Sequence, residues 1–403
     1  MMHSAKPKAA DQPNKAGRKT ISIPFGPYRL RLPVLFAGYR MGDVPTAGLR
    51  KFPWALTGTE ALLINAYDFT KPKYKQVIEN GWNLQRDLQF PDRPVLIDSG
   101  AYYFVRDNSV SVTPTQVLGI ERKSQAHVGV VLDHPFSPEA RNKSQRIART
   151  LTNTMIMLRA NSRVQSGLEL MPVVHGHNRK SLVNCIERIQ ELSRRYSNSE
   201  VTRVGIGSVA PLAQRGDARR ATDTIATVRD YLPNAHIHCF SMGSPLLMLL
   251  ALYAGADSVD SQTWIVSAAF KYAQVPGGYA VRLARRGYDT SRAFRAAIKK
   301  LGTKLRELHT QESFSVKNWA NGHLLALDSL SVCEDYAHSL TDLKSNENLH
   351  NRACHNLWVY NYEIERYRNA GASRTIERFL ENRMVGTRYD TAFKLLKQRL
   401  AGR

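Results

Sequence analysis

The stretch Leu-Leu-Met-Leu-Leu-Ala-Leu-Tyr-Ala-Gly-Ala-Asp-Ser-Val-Asp-Ser, residues 246–261, decides the fold. Its first part is an almost unbroken apolar helix. Ser244-Pro245 opens that helix with a capping residue and a proline at the first helical position, and Gly255 ends it. Ser258–Asp260 then reads as a short strand that stops on a carboxylate. A buried helix followed by such a strand is how an α/β barrel carries a side chain to the mouth of its sheet. Pro-Val-Leu-Ile-Asp-Ser-Gly (94–100) does the same with Asp98, and Val-Gly-Val-Val-Leu-Asp-His-Pro (128–135) with Asp133. Three carboxylates at strand ends point to one site assembled from distant parts of the chain. Carboxylate pairs are the working groups of glycosidic-bond chemistry.

Outward from these segments, short β-branched runs alternate with helical periodicity, which argues for βα units on a parallel sheet. The candidate strands are Pro33–Ala37, Leu62–Ala66, Val95–Asp98, Val128–Asp133, Leu168–His175, Val204–Ser208, Ile237–Met242 and Ser258–Asp260. Eight units predict a (β/α)₈ TIM barrel with its site at the strand C-termini. The runner-up, a doubly wound sheet, lacks a Gly-x-Gly-x-x-Gly after the first strand. Ser181 is expected to cap a helix carrying Leu182, Cys185, Ile186, Ile189 and Leu192 on one face, and Thr113-Pro114 opens another. The expected organisation is a basic flexible tail over 1–20, the barrel over 21–270 and a helical extension over 271–403. Within the extension Arg292–Leu308, Leu349–Ala370 and Thr375–Leu400 read as helices.

The 403-residue chain carries 57 Lys and Arg against 34 Asp and Glu, a net charge of +23. Such an excess favours a polyanionic partner, nucleic acid above all. Basic clusters recur at Arg194-Arg195, Arg219-Arg220, Arg285-Arg286 and Lys299-Lys300. No run of about 18 apolar residues marks a membrane span. Residues 1–20 lack the apolar stretch of a secretory signal. The four scattered cysteines, Cys185, Cys239, Cys333 and Cys354, argue against a disulfide framework and for a reducing cytoplasm.

Other strand ends carry chemistry too. Val174-His175-Gly176, Gly205-Ile206-Gly207-Ser208 and Met242-Gly243 combine glycines, which let a flat ligand approach the backbone, with a thioether able to lie on a ring. Together with Asp98-Ser99-Gly100-Ala101-Tyr102, Asp133, Gly255–Asp260 and His355-Asn356-Leu357-Trp358, this ordered series resembles the tRNA-guanine transglycosylase superfamily from about Val95 onward. The resemblance implies base exchange without a catalytic cofactor. Asp260 would be the nucleophile below C1′ and Asp98 the acid and base for the two nucleobases. Asp133, His175, Gly207, Ser208, Met242, Gly243, Tyr102 and Ser99 would form the base site. Within it, Met242 and Tyr102 would sandwich the ring, and Gly207-Ser208 would read its carbonyl. Asp257 is read as a turn residue. A base in a duplex is shielded and would have to be flipped out. Superfamily members pair, so the resemblance also implies a homodimer.

The chain departs from the superfamily pattern in two places. The structural zinc implied by the resemblance needs three cysteines and the histidine of His-Asn-Leu. Here Asp328, Leu330 and Cys333 stand at the cysteine positions, with His355 retained. Cys333 and His355, with Asp328, Cys354 or His338, are the candidate ligands of a variant Zn²⁺ site. The preferred reading is an eroded, metal-free region over 328–358. In addition, Ser261-Gln262-Thr263-Trp264 replaces the RNA-engaging Pro-Thr-Arg stretch, and no appended RNA-binding domain is read in the chain. Both features favour the DNA-modifying branch, which inserts 7-deazaguanine bases such as 7-cyano-7-deazaguanine. The alternatives are a tRNA enzyme, a nucleoside hydrolase and a non-catalytic nucleic-acid-binding barrel.

Overall fold

Each of the eight apolar runs becomes a strand in the structure. This computed structural model describes residues 21–41, 52–81, 83–107, 110–164, 167–283, 290–319, 322–341 and 345–402. A hairpin comes first, β1 (Ile21–Phe25) and β2 (Tyr28–Leu32). The parallel sheet follows as β3 (Val34–Tyr39), β4 (Ala61–Asn65), β5 (Val95–Asp98), β6 (Val128–Val130), β7 (Glu169–Met171), β8 (Val173–Val174), β9 (Arg203–Ile206), β10 (His236–Cys239) and β11 (Ser258–Ser261). Pairing runs from β3 through β6 to β7, from β8 through β10 to β11, and closes where β11 meets β3. The expected strand Leu168–His175 is broken at Pro172. A proline has no N–H for the ladder, so β7 pairs with β6 while β8 pairs with β9. The Pro172 carbonyl still accepts the Gly205 N–H at 2.8 Å. The two pieces fill one barrel position, and the (β/α)₈ barrel is confirmed.

Side chains alternate between the barrel interior and the surrounding helices. Val34, Phe36, Ala61, Leu63, Leu96, Val128, Val130, Met171 and Val173 fill the interior on one side. Phe25, Leu30 and Leu32 of the leading hairpin join this cluster and plug the N-terminal end. On β9–β11 the outward set (Val204, Ile206, Ile237, Cys239, Val259) packs under the helices. The opposite set there is Arg203, His236, His238, Ser258 and Asp260, all buried. The β9–β11 side of the barrel interior is therefore polar.

Local signals place the helices. Thr113 and Gln116 form a capping box, and Ser244 accepts the Leu247 N–H ahead of the helix Pro245–Ala254. Gly255 stops that helix at φ 121°. The leucines of this helix are buried, each worth about 1.5–3 kcal/mol relative to exposure. The helix Arg179–Ser197 begins one turn earlier than expected. Asn178 is its cap, and Ser181 is the reciprocal partner three residues in.

The expected extension is not purely helical. Two antiparallel hairpins, β12 (Tyr272–Val275) with β13 (Tyr279–Arg282) and β14 (Ser315–Lys317) with β15 (Leu324–Ala326), frame the helix Thr290–Glu312. They share a second core with Trp319, Cys333, Tyr336 and Cys354. The helices Leu330–Ser339, Ser345–Ala372, Ile376–Met384 and Asp390–Ala401 complete the chain. The expected tail 1–20 and the pair Arg285-Arg286 lie outside the described residues. Among those residues no helix is long and apolar enough to cross a membrane.

Candidate active site

Asp98, Asp133 and Asp260 stand at or just beyond the C-terminal ends of β5, β6 and β11. Burial, the charge of Asp133 and, less strongly, that of Asp260 push the Asp98 carboxyl up to about 8, against a backbone hydrogen bond from Gly100. That both neighbouring charges reach Asp98 shows the three acids converging on one mouth. The Gly100 N–H donates to Asp98 Oδ2 at 2.9 Å. Gly100 itself has φ +82°, and a Cβ there would meet Tyr67 Cβ at 2.5 Å, so only glycine makes this turn. These surroundings favour the protonated form of the Asp98 carboxyl.

Asp260 is 4% exposed. Its Oδ1 accepts the Ser241 N–H at 2.8 Å and lies 3.3 Å from His238 Nε2. Both bonds fall on the same oxygen. Oδ2 is left without a hydrogen-bond partner among the described residues.

Asp133 is held by a chain. The Phe136 N–H donates to Ser208 Oγ at 3.0 Å, Ser208 Oγ lies 2.9 Å from His175 Nδ1, and His175 Nε2 lies 2.9 Å from Asp133 Oδ2. Beside the bond it accepts from Phe136, the Ser208 hydroxyl faces His175 Nδ1. His175 Nε2–H then donates to Asp133. Ser99 Oγ reaches the other oxygen, Oδ1, at 3.4 Å. Gly207 exists for the sake of this imidazole: a Cβ at that position would sit 2.2 Å from His175 Cε1. The Gly207 N–H is spent in the ladder on Val174 O, and the Ser208 hydroxyl is committed to His175. Gly207 and Ser208 thus both pack against His175 at the floor of the mouth.

The remaining expected residues are unequal. Tyr102 is 38% exposed at the mouth, whereas Met242 is fully buried among the residues packed between sheet and helices. Only the Met242 backbone engages the site, donating to Asp260 O at 2.9 Å. The Gly243 carbonyl accepts from Ser261 Oγ at 2.8 Å and from the Tyr360 hydroxyl. Ser244 Oγ lies 3.0 Å from Tyr389 OH. The C-terminal helices thus brace the loop after β10 through Tyr360 and Tyr389, which sequence reasoning did not single out. Asp257 pairs with Arg229 and accepts the Ile237 N–H, as befits a turn residue.

The residues of the implied zinc site do not fit a metal. His355 Nε2 lies 2.6 Å from the Gln274 carbonyl, and Nδ1 lies 2.7 Å from Tyr336 OH, which in turn accepts Trp319 Nε1–H at 2.9 Å. No ring nitrogen of His355 is left for a ligand bond. The Cys333 thiol points to Leu327 O, and Cys354 lies 3.5 Å from His350 Nε2. Among the described residues no three His, Cys, Asp or Glu side chains gather as a ligand set. Asn356 instead stitches this region to the barrel, bonding Trp264 O, Tyr272 O and Gln274 N.

In a βα barrel each helix starts on the face where its strand ends. The exposed Arg179, Lys180, Arg219 and Arg220, in the first turns of their helices, therefore lie on the mouth side. Arg194-Arg195, in a last turn, lies on the opposite face. Among the described residues these clusters therefore divide between the two faces of the barrel. Arg40 and Lys71 add cations over the rings of Tyr103 and Tyr67 beside β4 and β5.

A closed (β/α)₈ barrel with acids over the carboxyl ends of its strands is an enzyme barrel. The chain belongs to the queuine tRNA-ribosyltransferase family, which matches residues 16–388. It is 24% identical over 336 residues to the tRNA-guanine(15) transglycosylase of Methanococcus vannielii, covering 81% of this chain and 44% of that protein. The match to the corresponding protein of Methanocaldococcus jannaschii is also 24%, over 332 residues, with the same coverage. The Methanosarcina barkeri protein is 30% identical over 244 residues, or 59% of this chain and 46% of its own. The chain spans less than half the length of these relatives.

Proposed function

We propose that the barrel mouth carries out base exchange on a guanine nucleotide, a pentosyltransferase reaction. The observation that carries this reading is a pair of acids at strand ends of one barrel mouth: Asp98, whose carboxyl is pushed up by burial and the Asp133 charge, and Asp260, with one anchored and one unpartnered oxygen. Asp260 Oδ2 attacks C1′ as the C1′–N9 bond breaks, and the bond's electrons leave with guanine. Asp98 donates the proton that guanine takes. The resulting Asp98 carboxylate removes the N9 proton of the incoming 7-deazaguanine, whose nitrogen displaces Asp260 from C1′. Two displacements retain configuration at the sugar. The chain's own groups balance both half-reactions, so no catalytic cofactor is invoked.

We favour DNA as the polymer. Trp264 is buried with its indole N–H on Gly38 O at 3.1 Å, and Ser261 Oγ caps Thr263 N at 3.0 Å. The segment after the nucleophile is thus folded into the scaffold and presents no cation to an RNA strand. The relatives' names favour tRNA, and one experiment separates the two polymers. Labelled 7-cyano-7-deazaguanine is supplied with guanine-containing duplex DNA or with tRNA, and the expected result is label in DNA. Label in tRNA alone overturns the choice of polymer. Label in neither overturns base exchange.

We further infer that the region around His355 stands without zinc. Burial drives His355 down to about 4, so it is neutral and works as a hydrogen-bond bridge between Tyr336 and Gln274. Extended dialysis against a strong chelator is expected to leave the melting temperature within about a degree. His355→Ala is expected to lower stability by about 1–3 kcal/mol, because it strands the Tyr336 hydroxyl and the Gln274 carbonyl. A large chelator-induced drop in melting temperature contradicts this inference.

A further inference from the structure

Beneath Asp260 the barrel interior carries a column of polar side chains that the proposed chemistry has not used. Arg203 lies at the start of β9, its guanidinium 2.7 Å from Glu169 and bonded to the Pro24 carbonyl of the plugging hairpin. Arg203 Nη1 lies 3.3 Å from His236 Nδ1, and His236 Nε2 lies 2.9 Å from Ser258 Oγ. The same oxygen lies 2.8 Å from His238 Nδ1, and His238 Nε2 is the group 3.3 Å from Asp260 Oδ1. The column thus crosses the barrel from its sealed end to its mouth.

The two ends of the column, a guanidinium that only donates and a carboxylate that accepts, set its proton directions. A guanidinium can only donate, so His236 Nδ1 must accept. Burial and the Arg203 charge hold His236 well below its ordinary value, so it is neutral, and its single proton is on Nε2. That N–H donates to Ser258 Oγ. At the other end Asp260 Oδ1 accepts from His238 Nε2–H, and the Nδ1 of that tautomer takes the Ser258 proton. The apolar surroundings fix the geometry: Phe36 and Phe240 both pack edge-on against the His238 ring, at 5.4 and 4.7 Å. Gly205 leaves the space that Phe240 occupies, since a Cβ there would lie 2.4 Å from its ring.

We propose that Arg203, His236, Ser258 and His238 form a one-way hydrogen-bond relay whose last N–H anchors Oδ1 of Asp260 and aims Oδ2 at the sugar. They are positioning residues. This role rests on the base-exchange reading, but the relay can be observed without it. Nitrogen NMR of the full chain labelled in histidine, with the two signals assigned through His236→Gln and His238→Gln, reports the tautomers directly. Both imidazoles are expected to carry their proton on Nε2. A proton on Nδ1 of either ring, or a doubly protonated His238, overturns the relay even in a chain that shows no exchange.

The kinetic arm tests the purpose. His238→Leu is expected to lower kcat by about 100-fold with KM for the incoming base little changed. His238→Gln, whose amide reaches the same oxygen, is expected to recover most of that loss. Ser258→Ala is expected to scramble the His238 tautomer and to lower kcat with it. Full activity in His238→Leu overturns the positioning role, and absence of exchange in the unmodified chain overturns the base-exchange reading instead.

Discussion

Replacement of Asp260 by Asn is expected to lower base exchange by about 10³-fold or more while binding of nucleic acid and thermal stability stay close to those of the unmodified chain. The amide oxygen still accepts the Ser241 N–H, so the loop after β10 keeps its anchor. What is lost is the charge that meets the developing positive sugar and the oxygen that captures it. Alanine is a poorer probe, because it leaves the Ser241 N–H and His238 Nε2 without their acceptor, at about 1–3 kcal/mol for each stranded group. Denaturing gel analysis of a single turnover is the decisive measurement. A band of protein joined to nucleic acid is expected from the unmodified chain and must be absent from Asp260→Asn. Its persistence moves the nucleophile to another side chain.

Asp98→Asn is expected to cost about 10²- to 10⁴-fold and to abolish a pH dependence. Release of guanine needs Asp98 protonated, so in the unmodified chain this half-reaction should fall as pH rises through about 8. The stability effect runs in the same direction. The folded value lies above the ordinary 3.8, so the native chain binds the extra proton between the two values. Stability is therefore lost as pH climbs across that window. The asparagine variant carries no such titration. It is expected to melt higher than the unmodified chain at pH 8 and above, as calorimetry over a pH series would show. A lower melting temperature there contradicts the environment assigned to Asp98.

Much of the barrel is legible in the chain because a buried parallel strand announces itself by a short apolar run with turn residues on either side. Leu168–His175 shows the limit: the run is continuous in hydrophobicity, yet Pro172 divides its pairing. The leading hairpin and β12–β13 are harder to read, being short and bounded by Gly26 and by Gly277-Gly278, with no longer pattern to support them. At the site, Asp98, Asp133, His175 and Asp260 stand out because a carboxylate or imidazole at a strand end is unusual. His236, His238 and Ser258 do not, since a polar residue at every second strand position commonly faces solvent. Only barrel closure reveals that here this face points inward. Tyr360 and Tyr389 lie more than 100 residues from the loop they brace, and no local pattern signals such a contact.

The hairpin wedged into the bottom of the barrel has a consequence for traffic. With Phe25, Leu30 and Leu32 packed into the barrel interior at that end, the described residues leave exchange of ligands to the mouth. On the base-exchange reading the outgoing purine has to vacate before its replacement can arrive. The polymer meanwhile stays tethered to Asp260 and stands across the threshold. Turnover should then alternate strictly between two forms of the protein, and free guanine should compete with the replacement base for the same vacancy.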